Sequence, residues 1–271
     1  MWGMSRAAFS ERRPYQFVLL VELMVIGVYL VSGTAAHFLH FGGLGVYVVA
    51  NAALTVLLAL VLTRMGWWRR VGYRATGPRT LAWVLPMCLP VVLNIYPGLD
   101  PGGLAPAAGF LGLALMVGFV EESAFRGLML RALEPRGVWR AVVVTTVLFS
   151  LTHLMNIMAG EAGLQAALQL LYSAAIGFAF AALALRTRVI WPLVVVHALI
   201  DFVAFMQDPA LTVPRTVEIA AALTVTVVFT AYGLFLMVRG QPAADSAPAP
   251  HPARTGLSAS AEGGDGTIVL E

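Results

Sequence analysis

The sequence predicts an all-α fold, a polytopic membrane helical bundle of about eight transmembrane helices. Three observations carry this prediction. The chain is 59% hydrophobic and only 11% charged, whereas soluble domains are roughly a quarter charged. Its apolar residues come in long runs and not in the short alternating segments of a membrane barrel. Backbone in lipid must satisfy its own hydrogen bonds, so runs of this length cross as helices.

The candidate spans fall at about 17–39, 44–63, 79–96, 103–133, 140–158, 164–185, 189–207 and 215–238. Each is near the ~20 residues a bilayer requires. Arg12 and Arg13 precede the first, whose apolar run outlasts a signal-peptide core; an uncleaved signal anchor is expected. Pro86 and Pro90 break the helical pattern of the third. The fourth is long, and its last third is expected to leave the hydrocarbon or bend along the surface. After Gly240 the chain turns rich in Pro, Ala, Ser and Gly. Such a segment cannot bury enough apolar surface to fold. The expected organisation is a membrane domain at 1–240 and a disordered cytoplasmic tail at 241–271.

The 17 basic residues are all arginine, a usage that fits a bacterial protein. With the N-terminus inside, Arg215 alone falls in an outer segment, a split of sixteen to one. Basic residues collect on the cytoplasmic side, so both termini are expected there, in a bacterial inner membrane. This placement accounts for the pI near 9.3, and no nucleic acid partner is expected. Cys88 is the one cysteine, which excludes an internal disulfide and a cysteine metal cluster.

An ionisable group at the centre of a membrane helix costs at least ~2.5–3.5 kcal/mol and is a functional candidate by default. The sequence has Glu22, Glu121, Glu122, Arg126, His153, His197 and Asp201 in such positions. Glu22 is expected to snorkel or to pair with a neighbouring helix. Three pairs recur at i,i+4: Glu122 with Arg126, Phe149 with His153, and His197 with Asp201. Each pair shares a helix face. The fourth and fifth spans form a hairpin turning near Gly137, with Glu121 and His153 each 16 residues from it. They should face each other about 24 Å from the turn, while His197 and Asp201 lie roughly 14–20 Å from Arg188. Three helices thus bring acids and imidazoles to one layer, expected toward the cytoplasmic half.

A carboxylate and an imidazole together can hold and deprotonate a water. A second imidazole with a polar partner can stabilise an oxyanion. Glu121, His153 and His197 would equally serve as zinc ligands with an open position for water. Ser123 and Ser150 face away by helical spacing and are read as packing residues. Two other classes use the same buried groups: a proton-coupled transporter, and a non-catalytic immunity or scaffold protein.

The ordered set "EESAFR" at 121–126, "FSLTH" at 149–153 and "HALID" at 197–201 resembles the CPBP family, the CAAX protease and bacteriocin-processing (Abi) intramembrane proteases. The resemblance covers the fourth to seventh spans, with a motif core at about 103–207. It implies a helical bundle with a cytoplasm-facing catalytic cavity. It implies Glu121 as general base with His153, His197 and Asp201 on the oxyanion side, and Glu122, Arg126 and Phe149 as support. It implies a membrane-associated peptide or protein substrate in the lipid bilayer, and either a zinc or a metal-independent glutamate mechanism. Many family members carry Asn where this chain has Asp201. An ionised Asp cannot donate to an oxyanion, so Asp201 must be protonated there or must orient His197.

Overall fold

The computed structural model describes residues 9–40, 42–100, 102–158, 163–208 and 210–239. The expectation for 241–271, and those for Arg6 and Arg254, fall outside these residues. Eight apolar helices follow one another: α1 Pro14–Leu39, α2 Gly43–Met65, α3 Pro78–Ile95, α4 Leu104–Arg136, α5 Val138–Thr152, α6 Gly163–Thr187, α7 Trp191–Phe205 and α8 Arg215–Val238. Among them, six are long and apolar enough to cross a membrane, while α5 and α7 are shorter. No strand occurs among the described residues, only an isolated bridge between Leu99 and Gln207. The fold is an all-α membrane bundle in which α4 packs on α7, α6 on α5 and α8, and α1 on α2.

The prolines of α3 mark its internal joints. Leu85–Cys88 is a 3-10 turn between two α segments, and Pro86 and Pro90 each sit in the first turn of the segment that follows. There the missing N–H is tolerated.

Two features depart from the sequence reading. The last third of α4 does not bend along a surface, because every residue from Glu122 to Leu133 is buried. Arg126 and Arg131 are therefore core residues and not loop arginines. Arg131 Nη2 donates to the Ala184 carbonyl at 2.8 Å and its Nη1 to Glu134 at 3.2 Å. Second, α5 stops at Thr152 and not near 158. Its last carbonyls are taken by side chains: Thr152 Oγ1 lies 2.9 Å from Leu148 O, and His153 Nδ1 lies 2.8 Å from Phe149 O. Side chains that compete for the backbone in this way end helices. A separate turn, Met155–Met158, follows.

The start of α7 is recessed. Val189 and Ile190 are buried, and Ile190 N donates to Gly72 O at 3.2 Å. Gly72 has φ of 116°, and a Cβ there would stand 2.8 Å from Ile190 N. Glycine is required by both the conformation and the space.

Candidate active site

Helices α4 and α7 meet at small residues. A Cβ on Gly118 would stand 2.7 Å from Val194 O and 3.1 Å from Ala198 N. Small residues let membrane helices approach this closely. The approach sets His197 and Asp201 of α7 against Glu121 and Glu122 of α4.

From Glu122 to Met129, α4 widens into a π turn. Such turns recur at functional sites, where they re-aim side chains. Arg126 Nη1 donates to Glu122 Oε1 at 2.9 Å, with both side chains buried. His197 Nδ1 lies 2.8 Å from the same oxygen. A carboxylate paired with a guanidinium only accepts, so Nδ1 carries a proton and donates it. His197 Nε2 faces the other way. Across it stand Glu121 Oε2 at 3.5 Å and Asp201 Oδ2 at 3.6 Å. Both oxygens are buried and lack a hydrogen-bond partner within the protein. Buried polar atoms are ordinarily satisfied; Glu122 Oε2 also lacks a partner, but only Glu121 and Asp201 line a cavity, so these two are suited to a partner from outside the chain.

The Arg126 guanidinium is stacked as well as paired. It lies 4.0 Å over the Phe149 ring and 5.3 Å from that of Phe180, a geometry in which aromatic faces attract cations. Gly177 of α6 makes room for the stack: a Cβ there would stand 2.9 Å from Phe149 Cδ1 and 3.4 Å from Arg126 Nη2. Phe149 also meets the edge of the His153 ring, with centroids 4.9 Å apart.

His153 has a defined tautomer. The Phe149 carbonyl can only accept, so Nδ1–H donates, and in the neutral ring Nε2 keeps a lone pair. The same bond that ends α5 thus presents a basic nitrogen. Ser123 and Ser150 lie elsewhere: Ser123 Oγ is 2.7 Å from Tyr73 OH, and Ser150 Oγ donates to Leu170 O at 2.8 Å. Burial raises the Tyr73 phenol above its usual range, against the opposing hydrogen bond from Ser123.

A cavity of about 800 Å³ reaches this cluster. Glu121, Phe149, His153, His197 and Asp201 line it, while Glu122 and Arg126 do not. Its far walls come from the C-terminal half of α1, the first turns of α2, the segment after α5, and Gln169 of α6. The shared layer of motif residues is therefore not displaced toward the arginine-bearing turns. Glu121 is mid-way along α4, and His153 is at the end of α5 farthest from Gly137.

Among the described residues, no three His, Cys, Asp or Glu side chains gather into a group that could hold a metal ion. Glu121, His153 and His197 line one cavity but do not form the three-ligand set that zinc requires.

Glu22 is buried in α1 and pairs with a neighbouring helix, its Oε1 2.8 Å from Thr152 Oγ1 of α5, so it does not snorkel. Sequence reasoning passed over other contributors. A polar chain crosses the cavity wall. Asn51 Nδ2 donates to Tyr29 OH at 2.9 Å, Tyr47 OH to Asn156 Oδ1 at 3.0 Å, and Asn156 Nδ2 to Gln169 Oε1 at 2.9 Å. The available signal was uncharged amides and phenols inside apolar runs, which a search confined to ionisable groups omits.

No curated protein and no solved structure matches the chain. A family model described as "Type II CAAX prenyl endopeptidase Rce1-like" matches residues 103–203. That segment runs from the start of α4 into α7 and holds all three motifs. The family implies a membrane-associated protein substrate and a lipid environment. Over this segment, the chain is similar to the CAAX protease and bacteriocin-processing family of intramembrane proteases.

Proposed function

We propose that the chain is an endopeptidase of the bacterial inner membrane that hydrolyses peptide bonds with a water activated by Glu121 and His153. The observation that carries this reading is the asymmetry of His197. One nitrogen is fixed by Glu122 at 2.8 Å. The other faces the unpartnered oxygens of Glu121 and Asp201 at the floor of a cavity that His153 also lines.

Glu121 accepts a hydrogen bond from the water, and His153 Nε2 offers a second acceptor. As the water oxygen attacks the carbonyl carbon, its proton passes to Glu121. The carbonyl oxygen gains the negative charge and takes a hydrogen bond from His197 Nε2–H. The ring then carries both protons, and the carboxyl groups around it balance the charge. Asp201, when protonated, donates a second bond. When the C–N bond breaks, Glu121 returns its proton to the leaving amine nitrogen. Arg126 and Glu122 touch no reacting atom; they position His197, and Phe149 holds Arg126. Because the acidic and imidazole groups do not form a three-ligand set, no step runs through a metal.

The test is cleavage of fluorogenic membrane peptides by purified protein in detergent. General-base loss typically costs ~10²–10⁴-fold in rate, and that loss is expected for Glu121→Gln and for His153→Ala. Equal cleavage by all three proteins would remove the mechanism and leave the scaffold or proton-relay reading. Metal analysis of the same preparation separates the glutamate mechanism from a zinc one. The expected result is activity without bound metal, unchanged by chelator.

A further inference from the structure

We infer that the cavity admits its substrate from the face opposite the arginine-bearing loops, so that the peptide cleaved is an exported, membrane-anchored one. This rests on the proteolytic reading of the site and adds the side from which substrate comes.

The cavity is open toward one end of the bundle and sealed toward the other. Its outermost lining residues are Thr34, His37 and Phe38 at the end of α1 and Gly43 at the start of α2, all exposed. Asn156, after α5, lines the same end. None of the lining residues comes from the connections α2–α3, α4–α5 or α6–α7. Between the site and those connections lies packed core. Glu122 to Leu133 is buried without interruption, and twelve residues amount to about 18 Å of helix. Phe180 and Leu183–Leu185 of α6 pack there with no more than 1% exposure. Arg131 pins the layer to the Ala184 carbonyl, and Glu134 ties it to Arg188.

The sealed end is also the arginine end. Apart from the buried Arg126 and Arg131, and Arg215 at the start of α8, every described arginine lies before α1, in the three sealed connections or their flanking turns, or after α8. Basic loops mark the cytoplasmic side. The open end is then the outer one, and a cytoplasm-facing cavity and cytoplasmic termini cannot both hold for this chain. The wall chemistry agrees with a peptide guest. The Tyr47–Asn156–Gln169 chain sets amide and phenol groups along a cavity otherwise walled by residues such as Leu30, Val46 and Phe38. Such a surface accepts an extended, uncharged segment with apolar flanks.

The experiment is labelling of intact cells with a membrane-impermeant maleimide. The full chain carries Cys88→Ala and one new cysteine: Thr34→Cys or Gly43→Cys at the cavity mouth, or Ala75→Cys beside Arg74. A Cβ on Gly43 meets nothing within 4 Å, so at least this mouth variant leaves the packing unchanged. Both mouth variants should be labelled in intact cells, and Ala75→Cys only after permeabilisation. The reverse pattern, or mouth cysteines unlabelled in intact cells, overturns the inference. Labelling does not depend on cleavage, so the two readings fail separately. Expected labelling with undiminished cleavage by Glu121→Gln would remove the mechanism and keep the access side. Reversed labelling with loss of cleavage would do the opposite.

Discussion

The two nitrogens of His197 look into two different regions. On the Nδ1 side, Glu122, Arg126 and Phe149 form a buried stack: carboxylate to guanidinium at 2.9 Å, guanidinium to ring face at 4.0 Å, each at most 2% exposed. On the Nε2 side, Glu121 and Asp201 retain 20% and 23% side-chain exposure and have oxygens without protein partners. Two adjacent glutamates in one helix thus have opposite fates. The difference teaches that burial and charge alone do not mark chemistry. The more deeply buried acid is the one whose Oε1 is shared by Arg126 and His197 and which lies outside the cavity.

The largest contrast should come from substituting those two neighbours in turn. Glu122→Gln leaves the Arg126 charge buried and unpaired, a loss of about 3–5 kcal/mol, seen as a collapse of thermal stability in detergent. Glu121→Gln should leave that stability intact while abolishing cleavage. If both variants melt alike, the division between a bracing and a reacting carboxylate fails.

Next in size is Gly177→Ala. The added methyl would stand 2.9 Å from Phe149, and overpacking of this kind costs about 1–3 kcal/mol. Because Phe149 holds Arg126, cleavage should fall with stability, and unchanged melting would remove the stack from the account. Thr152→Val is milder. It takes the hydrogen bond from Glu22 Oε1 at 2.8 Å, at about 1 kcal/mol by thermal melt. The smallest effect belongs to Asp201→Asn, on the open side. Asn can donate where protonated Asp does, so cleavage should persist with metal content unchanged. Loss of activity in this variant would assign Asp201 a role that needs its charge.

Much of the architecture was legible because hydropathy and i,i+4 spacing are local properties. The eight apolar segments became eight helices, and the pairs Glu122–Arg126 and His197–Asp201 face one another at 2.9 and 3.6 Å. What was not legible depends on contacts between distant segments. The apolar run around His153 continues past the end of α5, and composition gives no sign that a ring nitrogen takes the Phe149 carbonyl. The recess at Ile190 needs Gly72, more than a hundred residues earlier. The second job of Glu122, holding His197, is invisible in a spacing that pairs it with Arg126.

The π turn between Glu122 and Met129 sets the phase between two halves of one helix. Below it, the rotation of α4 is fixed by Arg131 on Ala184; above it, by Gly118 against α7. Each residue advances the face of a helix by about 100°, so the length of this turn sets how the two anchors are phased. Removing a single residue from it would rotate the upper half as one body and carry Glu121 off His197 with every anchor residue still present.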